Sequence, residues 1–351
     1  MLLIDGHLDL AMNALNWDRD LELGVADIRA REAGMTEKGR GCGTTTLPEL
    51  RKAEVAVCVA TVIDRTARPN SPASGSACQA ISYAKAQGQL AYYRLLERQG
   101  KVRMIRNWPS LAAHWDAWAS GGEADPLGLI LAMEGADPIV TPDQVYDWWE
   151  DGLRMVGPSH YGVSAYAHGT GTDGGLTDLG GALLRAMDDV GMILDLTHLA
   201  EKAFWEALDI YHGPVLASHN NCRALVPGDR QFSDDQVRAI VERGGVIGVA
   251  LDAWMLKQGW VKGETTPEGL TLDAAADHVD HICELAGDTA HAAIGSDLDG
   301  GYGTEQTPSD LDTIADLQRV LQILGSRGYA QSDVEAIAHG NWLRRFEEAW
   351  L

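Results

Sequence analysis

Met192-Ile193-Leu194-Asp195-Leu196-Thr197-His198 and, a little further on, Pro214-Val215-Leu216-Ala217-Ser218-His219 are the stretch on which the fold turns. Each is a short apolar run of strand length that halts at a histidine. The segment between them, residues 201–211, has helical spacing with polar flanks. Strand, helix, strand is the unit of a parallel sheet with helical crossovers.

The unit recurs in both directions. Upstream, Leu2-Leu3-Ile4-Asp5 leads into Gly6-His7-Leu8-Asp9, and residues 55–63 form a β-branched run with no ligand at its end. Residues 127–133 stop at Glu134-Gly135, and Met155-Val156 is followed by Gly157-Pro158-Ser159-His160. Downstream, residues 246–251 stop at Asp252 and residues 292–296 stop at Asp297. Helical spacing fills residues 77–99, 142–155, 178–190, 233–243, 272–286 and 309–327, and residues 332–350 read as a closing helix. Eight strands alternating with helices predict an α/β fold closed as a (β/α)8 TIM barrel. In such a barrel the strand ends converge on one face, so distant residues share one site.

The chain has 351 residues and no Pro/Ser/Gly-rich linker, so one domain over residues 1–351 is expected, a barrel with insertions. Residues 18–48, 65–76, 169–181 and 252–267 are the least regular and read as loops over the mouth. The formal net charge of −23 argues against nucleic acid or an anionic membrane as partner. No apolar segment reaches the ~18 residues of a membrane span, and the amino terminus enters a strand at once, which predicts no membrane attachment and a cytoplasmic location. Five cysteines, an odd number without paired spacing, indicate neither a disulfide framework nor a CxxC metal knot. Cys222, close behind His219, reads as a small buried thiol. The eleven tryptophans, among them Trp148, Trp149 and Trp254, leave a core, a pocket or a homo-oligomer interface open, core being the commonest use.

The residues at the run ends are metal ligands and proton carriers by type. His7 and Asp9, two apart on an extended strand, share a face and can take one ion together. Glu134 ends a run that is buried in character, and a carboxylate there needs a partner or a cation. His198 and His219 each offer a neutral imidazole nitrogen, the usual ligand for zinc-like ions. If Glu134 bridges, His7, Asp9, Glu134, His198 and His219 give three ligands to each of two ions. Such a pair can activate water and polarise a carbonyl oxygen together, which points to hydrolysis of an amide or ester. Asp297, in Gly295-Ser296-Asp297-Leu298-Asp299-Gly300, is the better placed of its two carboxylates to shuttle a proton to the leaving group. Asp299 is expected to support the glycine turn that follows.

At these residues the chain resembles the renal or membrane dipeptidase family, metallopeptidases of the amidohydrolase superfamily. The resemblance rests on Asp5-Gly6-His7-Leu8-Asp9, Glu134-Gly135, residues 194–198, 214–219 and 295–300, and on Gly340-Asn341-Trp342-Leu343-Arg344-Arg345-Phe346. It implies two zinc ions, with His7, Asp9 and Glu134 on one and Glu134, His198 and His219 on the other; manganese and cobalt suit the same ligands. It also implies that His160 stabilises the oxyanion and that Arg230 binds the carboxylate of a dipeptide substrate, a task suited to a guanidinium fork. His168 competes with His160 for the first role and Arg223 with Arg230 for the second. Gln231 stands where the family commonly has Asn.

The expectation is a binuclear zinc dipeptidase that tolerates a D-residue at the carboxyl-terminal position. A lactonase, deaminase or phosphoesterase on the same barrel is the alternative. Many such relatives bridge their ions with a carboxylated lysine, and no lysine ends a predicted strand here. A catalytically silent barrel that binds metal or a partner is the third reading, which an intact proton carrier at Asp297 disfavours.

Overall fold

The computed structural model describes residues 1–68, 75–121 and 126–351. The apolar runs become β1 (Leu3–Leu8), β2 (Val55–Val62), β4 (Leu127–Glu134), β5 (Met155–Gly157), β6 (Ile193–Asp195), β7 (Val215–Leu216), β8 (Ile247–Val249) and β9 (Ala292–Ile294). All eight are buried along their whole length. Strands covered on both faces read as unbroken apolar runs, which is why length and end residues identified them.

The ladder runs β1-β2-β4-β5-β6-β7, and β8 pairs with β9, all parallel. Two looser joints close the ring. Between β7 and β8, Ala217 N donates to Val246 O at 2.9 Å and Gly248 N to Ala217 O at 2.9 Å. Between β9 and β1, the Asp5 carboxylate accepts from Ser296 N at 2.9 Å and Ser296 Oγ at 2.5 Å, while Asp297 N donates to His7 O at 3.3 Å. The result is the (β/α)8 barrel, and one hydrophobic cluster extends from Leu3 to Phe346.

A ninth strand, β3 (Val102–Ile105), and the helix Trp108–Ala119 were not anticipated. β3 pairs with the first half of β4 on the edge whose second half β5 uses, from Val102 opposite Leu127 to Ile105 opposite Ile130. At four residues with Arg103 inside it, it gives too little apolar pattern to register. The helix expected over 142–155 is shorter, Gln144–Asp151: Gly152 takes a left-handed φ of 106°, and Met155 already belongs to β5. The helix expected over 309–327 begins only at a 3-10 turn, Ile314–Asp316, before Leu317–Ser326. The closing helix passes through a π segment, Ala336–Gly340, between Gln331–Glu335 and Asn341–Trp350. Two expected mouth loops contain helix, Val25–Arg31 and Ala253–Leu256. Residues 69–74 of the expected loop 65–76 lie outside the described residues.

Three glycines shape the rim. A Cβ on Gly6, Gly248 or Gly295, each from a different strand, would lie 2.7, 2.2 or 1.8 Å from the carbonyl oxygen of Ser218. Only residues without a side chain let the end of β7 lean in this far, and it carries Ser218 and His219 with it.

Among the described residues Asp5 has no charged partner within ion-pair distance; it is fully buried and holds three donors, the third being His7 N at 3.1 Å. Asp5→Ala strands those donors, and an unmade buried hydrogen bond costs about 1–3 kcal/mol. The variant is expected to lose about 2–4 kcal/mol of stability, read from denaturant melts; an unchanged midpoint would mean the β9–β1 joint is held by other contacts.

Candidate metal centre and active site

The strand ends meet as the barrel requires. Glu134 closes β4, and its Oε1 lies 3.7 Å from His7 Nε2, 3.4 Å from His160 Nε2, 3.2 Å from His198 Nε2 and 3.3 Å from His219 Nε2. His7 Nε2 is also 3.9 Å from Asp9 Oδ1 and 4.0 Å from Asp297 Oδ1. Three groups of donor atoms lie within 4.8 Å of one another: His7, Glu134 and His219; Glu134, His160 and His198; His7, Asp9 and Asp297. Glu134 belongs to two of them and His7 to two.

The backbone is bent to achieve this. His198 and Asp297 have φ of 68° and 57°, left-handed values that cost an ordinary residue energy and persist only where surroundings enforce them.

Hydrogen bonds on the far side of each ring tell the imidazoles apart. His198 Nδ1 lies 2.9 Å from Thr170 Oγ1, while His7 and His219 Nδ1 lie 3.3 and 2.9 Å from Ser218 Oγ. A hydroxyl can accept from Nδ1–H, which leaves the Nε2 lone pair free for a cation. His160 is different: its Nδ1 lies 2.9 Å from Arg65 Nη1. Arginine only donates, so this Nδ1 accepts and the neutral ring carries its proton on Nε2, facing the centre. His160 is therefore a hydrogen-bond donor at the site although its nitrogen falls within ligand range.

Burial governs the charges. It raises Glu134 and Asp297 well above the carboxylate range, helped by each one's acidic neighbours, and raises Asp9 to about 6. Burial likewise holds His160, His198 and His219 well below the usual imidazole value and His7 at about 3, with Arg230 adding to it. Neutral imidazoles and carboxyls short of positive charge are what a divalent cation requires. His7 Nε2 is buried with no hydrogen-bond partner among the described residues, as a ligand atom awaiting a cation would be. The donor set of imidazole and carboxylate fits zinc and its neighbours.

A cavity of about 540 Å³ opens over the cluster, lined by Asp9, Glu134, His160, His198, Arg230 and Asp297. Arg230 is buried, its guanidinium tethered to Asn220 Oδ1 and, at 2.9 Å, to His219 O. Arg223 instead pairs with Glu201 at 2.7 Å and lines another surface hollow. His168 packs against Gly174 and does not line the cavity. Gln231, beside Arg230, turns its Nε2 to Met255 O at 2.8 Å. Cys222 is buried, and its N–H donates to His278 Nδ1 at 3.0 Å, away from the cavity. Asp299 departs from expectation: instead of bracing a glycine turn, its carboxylate accepts from Thr44 N at 2.8 Å and Thr45 N at 3.0 Å and pairs with Arg19 at 3.3 Å, pinning the first mouth loop.

Residues 1–350 match the model of the family described as Membrane dipeptidase (Peptidase family M19). The chain belongs to this family. An uncharacterized protein from the pqqA 5' region of Klebsiella pneumoniae is 32% identical over 235 residues, covering 64% of this chain and 83% of that one. Dipeptidase aclJ of Aspergillus oryzae is 25% identical over 356 residues, 97% of this chain and 76% of that one. Among solved structures, a metallo peptidase from Rhodobacter sphaeroides, liganded with a phosphinate mimic of the dipeptide L-Ala-D-Ala, superposes with a TM-score of 0.80 at 22% identity, covering 100% of this chain and 99% of that one. The probable dipeptidase PvdM from Pseudomonas aeruginosa gives 0.78 at 19%, covering 100% and 96%. At these identities the superpositions speak for the barrel.

Sequence reasoning missed Arg65 and Thr170, which orient His160 and His198. Both lie in loops, where no periodicity marks a side chain. Asp5 and Asp195 were visible, each at the end of a run and just ahead of a histidine, yet were not read as positioning groups.

The shifts predict the pH dependence of metal binding. Asp9, raised from an ordinary 3.8 to about 6, holds a proton below that pH which a cation must displace, whereas His7 at about 3 is already neutral. Zinc affinity, measured by chelator competition, is expected to fall about tenfold per pH unit per displaced proton as pH drops below about 6. In the metal-free protein the sign is opposite. Raised carboxyls such as Asp5 and Asp9 contribute stability fully below about 4 and lose it as pH rises through about 6. A zinc affinity that is flat between pH 5 and 7.5 would contradict the assignment of Asp9 as a ligand.

Proposed function

We propose that this chain is a binuclear zinc dipeptidase, and that His7, Asp9, Glu134, His198 and His219 hold the two ions with Glu134 shared. The observation that carries this reading is the gathering of imidazole Nε2 atoms around one buried carboxylate, with Asp297 and a buried guanidinium in the same cavity. Manganese or cobalt would suit the same donors. When bound, such a pair supplies Lewis acidity toward a peptide carbonyl and makes water nucleophilic near neutral pH.

The chain's own groups do the rest. Arg230 receives the substrate's free carboxylate, and because its own hydrogen bonds fix it, it measures the distance from that carboxylate to the scissile bond. His160, its proton held on Nε2 by Arg65, donates to the oxygen that becomes negative as the carbonyl turns tetrahedral. Asp297 takes the proton of the attacking water and returns it to the leaving amine. Burial raises the proton affinity of its carboxylate, which suits the ionised form to accept that proton.

A D-residue at the carboxyl-terminal position should be accepted. The Rhodobacter sphaeroides relative, with its mimic of L-Ala-D-Ala, supports that expectation. Among the described residues no helix is long and apolar enough to cross a membrane, and all five cysteines are free thiols, as suits a reducing compartment. We place the enzyme in the cytoplasm.

With zinc bound, a panel of L,L- and L,D-dipeptides is expected to be hydrolysed, with activity lost on chelation and restored by metal. Asp297→Asn is expected to lower kcat about 10²–10⁴-fold while metal is retained. Arg230→Lys is expected to act mainly on KM. Failure on every dipeptide with metals bound would overturn the assignment.

A further inference from the structure

One hydroxyl reaches two of the proposed ligands. Ser218 Oγ lies 3.3 Å from His7 Nδ1, 2.9 Å from His219 Nδ1 and 2.5 Å from Asp195 Oδ2, and Ser218 is completely buried. Asp195 is fixed in turn by Thr197 N and Ser218 N, each at 3.0 Å from its Oδ1. A carboxylate accepts only, so the serine's single proton goes to Asp195. The lone pairs of the hydroxyl then face the two imidazoles, with Thr197 Oγ1 the most distant neighbour at 3.5 Å, and each ring presents Nδ1–H to it. The geometry points to Ser218 and Asp195 as positioning residues that together lock His7 and His219 in the tautomer whose Nε2 lone pair faces the centre.

The consequence is specific to this arrangement. His7 and His219 belong to different ions in the proposed partition, so a single hydroxyl prepares both halves of the centre. The close approach of β7 that brings Ser218 there is the one permitted by Gly6, Gly248 and Gly295. His160 is the internal contrast, since an arginine on its Nδ1 imposes the opposite tautomer. His198 has its own hydroxyl in Thr170, 2.9 Å from its Nδ1, but its Nε2 lies 3.3 Å from His219 Nε2, so these two rings face each other across the centre. The inference rests on the binuclear reading for its significance, but the tautomers themselves do not.

The test begins on metal-free wild-type protein, with the imidazole ¹⁵N resonances assigned. His7 and His219 are expected as Nδ1–H tautomers and His160 as Nε2–H; an Nε2–H tautomer at His7 or His219 overturns the inference without any variant. Zinc affinity by chelator competition is the second readout. Ser218→Ala is expected to weaken both ions about 10–100-fold, the usual cost of losing an outer hydrogen-bond partner of a ligating histidine. Asp195→Asn turns an amide N–H toward the serine, sends the hydroxyl proton to one ring and is expected to switch that ring to Nε2–H. Wild-type zinc affinity in Ser218→Ala overturns the positioning role and leaves the dipeptidase reading intact; a wild-type protein that binds no metal overturns that reading instead.

Discussion

A buried carboxylate that, among the described residues, has no lysine or arginine within ion-pair distance governs this molecule. Glu134 stands at the rim end of an eight-residue buried strand, surrounded by the Nε2 atoms of four imidazoles that burial keeps uncharged. Burying an ionised carboxylate is costly unless it is paired or coordinates metal. The nearby guanidiniums are engaged elsewhere, Arg65 on His160 and Arg230 on Asn220 and His219. The surroundings of Glu134 make sense as a place built for positive charge at contact distance, whereas Arg65 and Arg230 act on it only from further away.

Much of the barrel exists to hold that arrangement. The strand ends from β1, β4, β6, β7 and β9 are drawn together by left-handed turns at His198 and Asp297, by the Asp5 joint between the first and last strands, and by glycines that let β7 lean inward. Asp299 and Arg19 tie down the loop that follows β1. The acidic balance of the whole chain does not describe the mouth, where Lys38, Arg65, Arg230 and Lys262 all face the cavity. Net charge is a property of the surface average, and a site of this kind is local.

The barrel was legible because strands buried on both faces leave an uninterrupted apolar signature, and a ligand at the end of such a run is conspicuous. That logic located all eight barrel strands and found His7, Glu134, His198, His219 and Asp297, whose side chains do converge. It could not find β3, whose four residues include an arginine, nor the late start of the helix Leu317–Ser326. The partners that set ring orientation were harder. Thr170 and Arg65 act from loops, and Ser218 is meaningful only once the fold brings it beside His7, far away in sequence. His160 was already favoured over His168 by its place at a strand end, whereas Arg223 and Arg230 stay open in the sequence, and of the two only Arg230 lines the cavity.

The proposed sharing of Glu134 between two ions is tested most directly by metal stoichiometry. Elemental analysis of the zinc-loaded protein and of Glu134→Gln, each after removal of free metal, is predicted to give two ions per chain for the first and a loss at both positions for the second. Two ions retained by Glu134→Gln, or a single ion in the native chain, would contradict it.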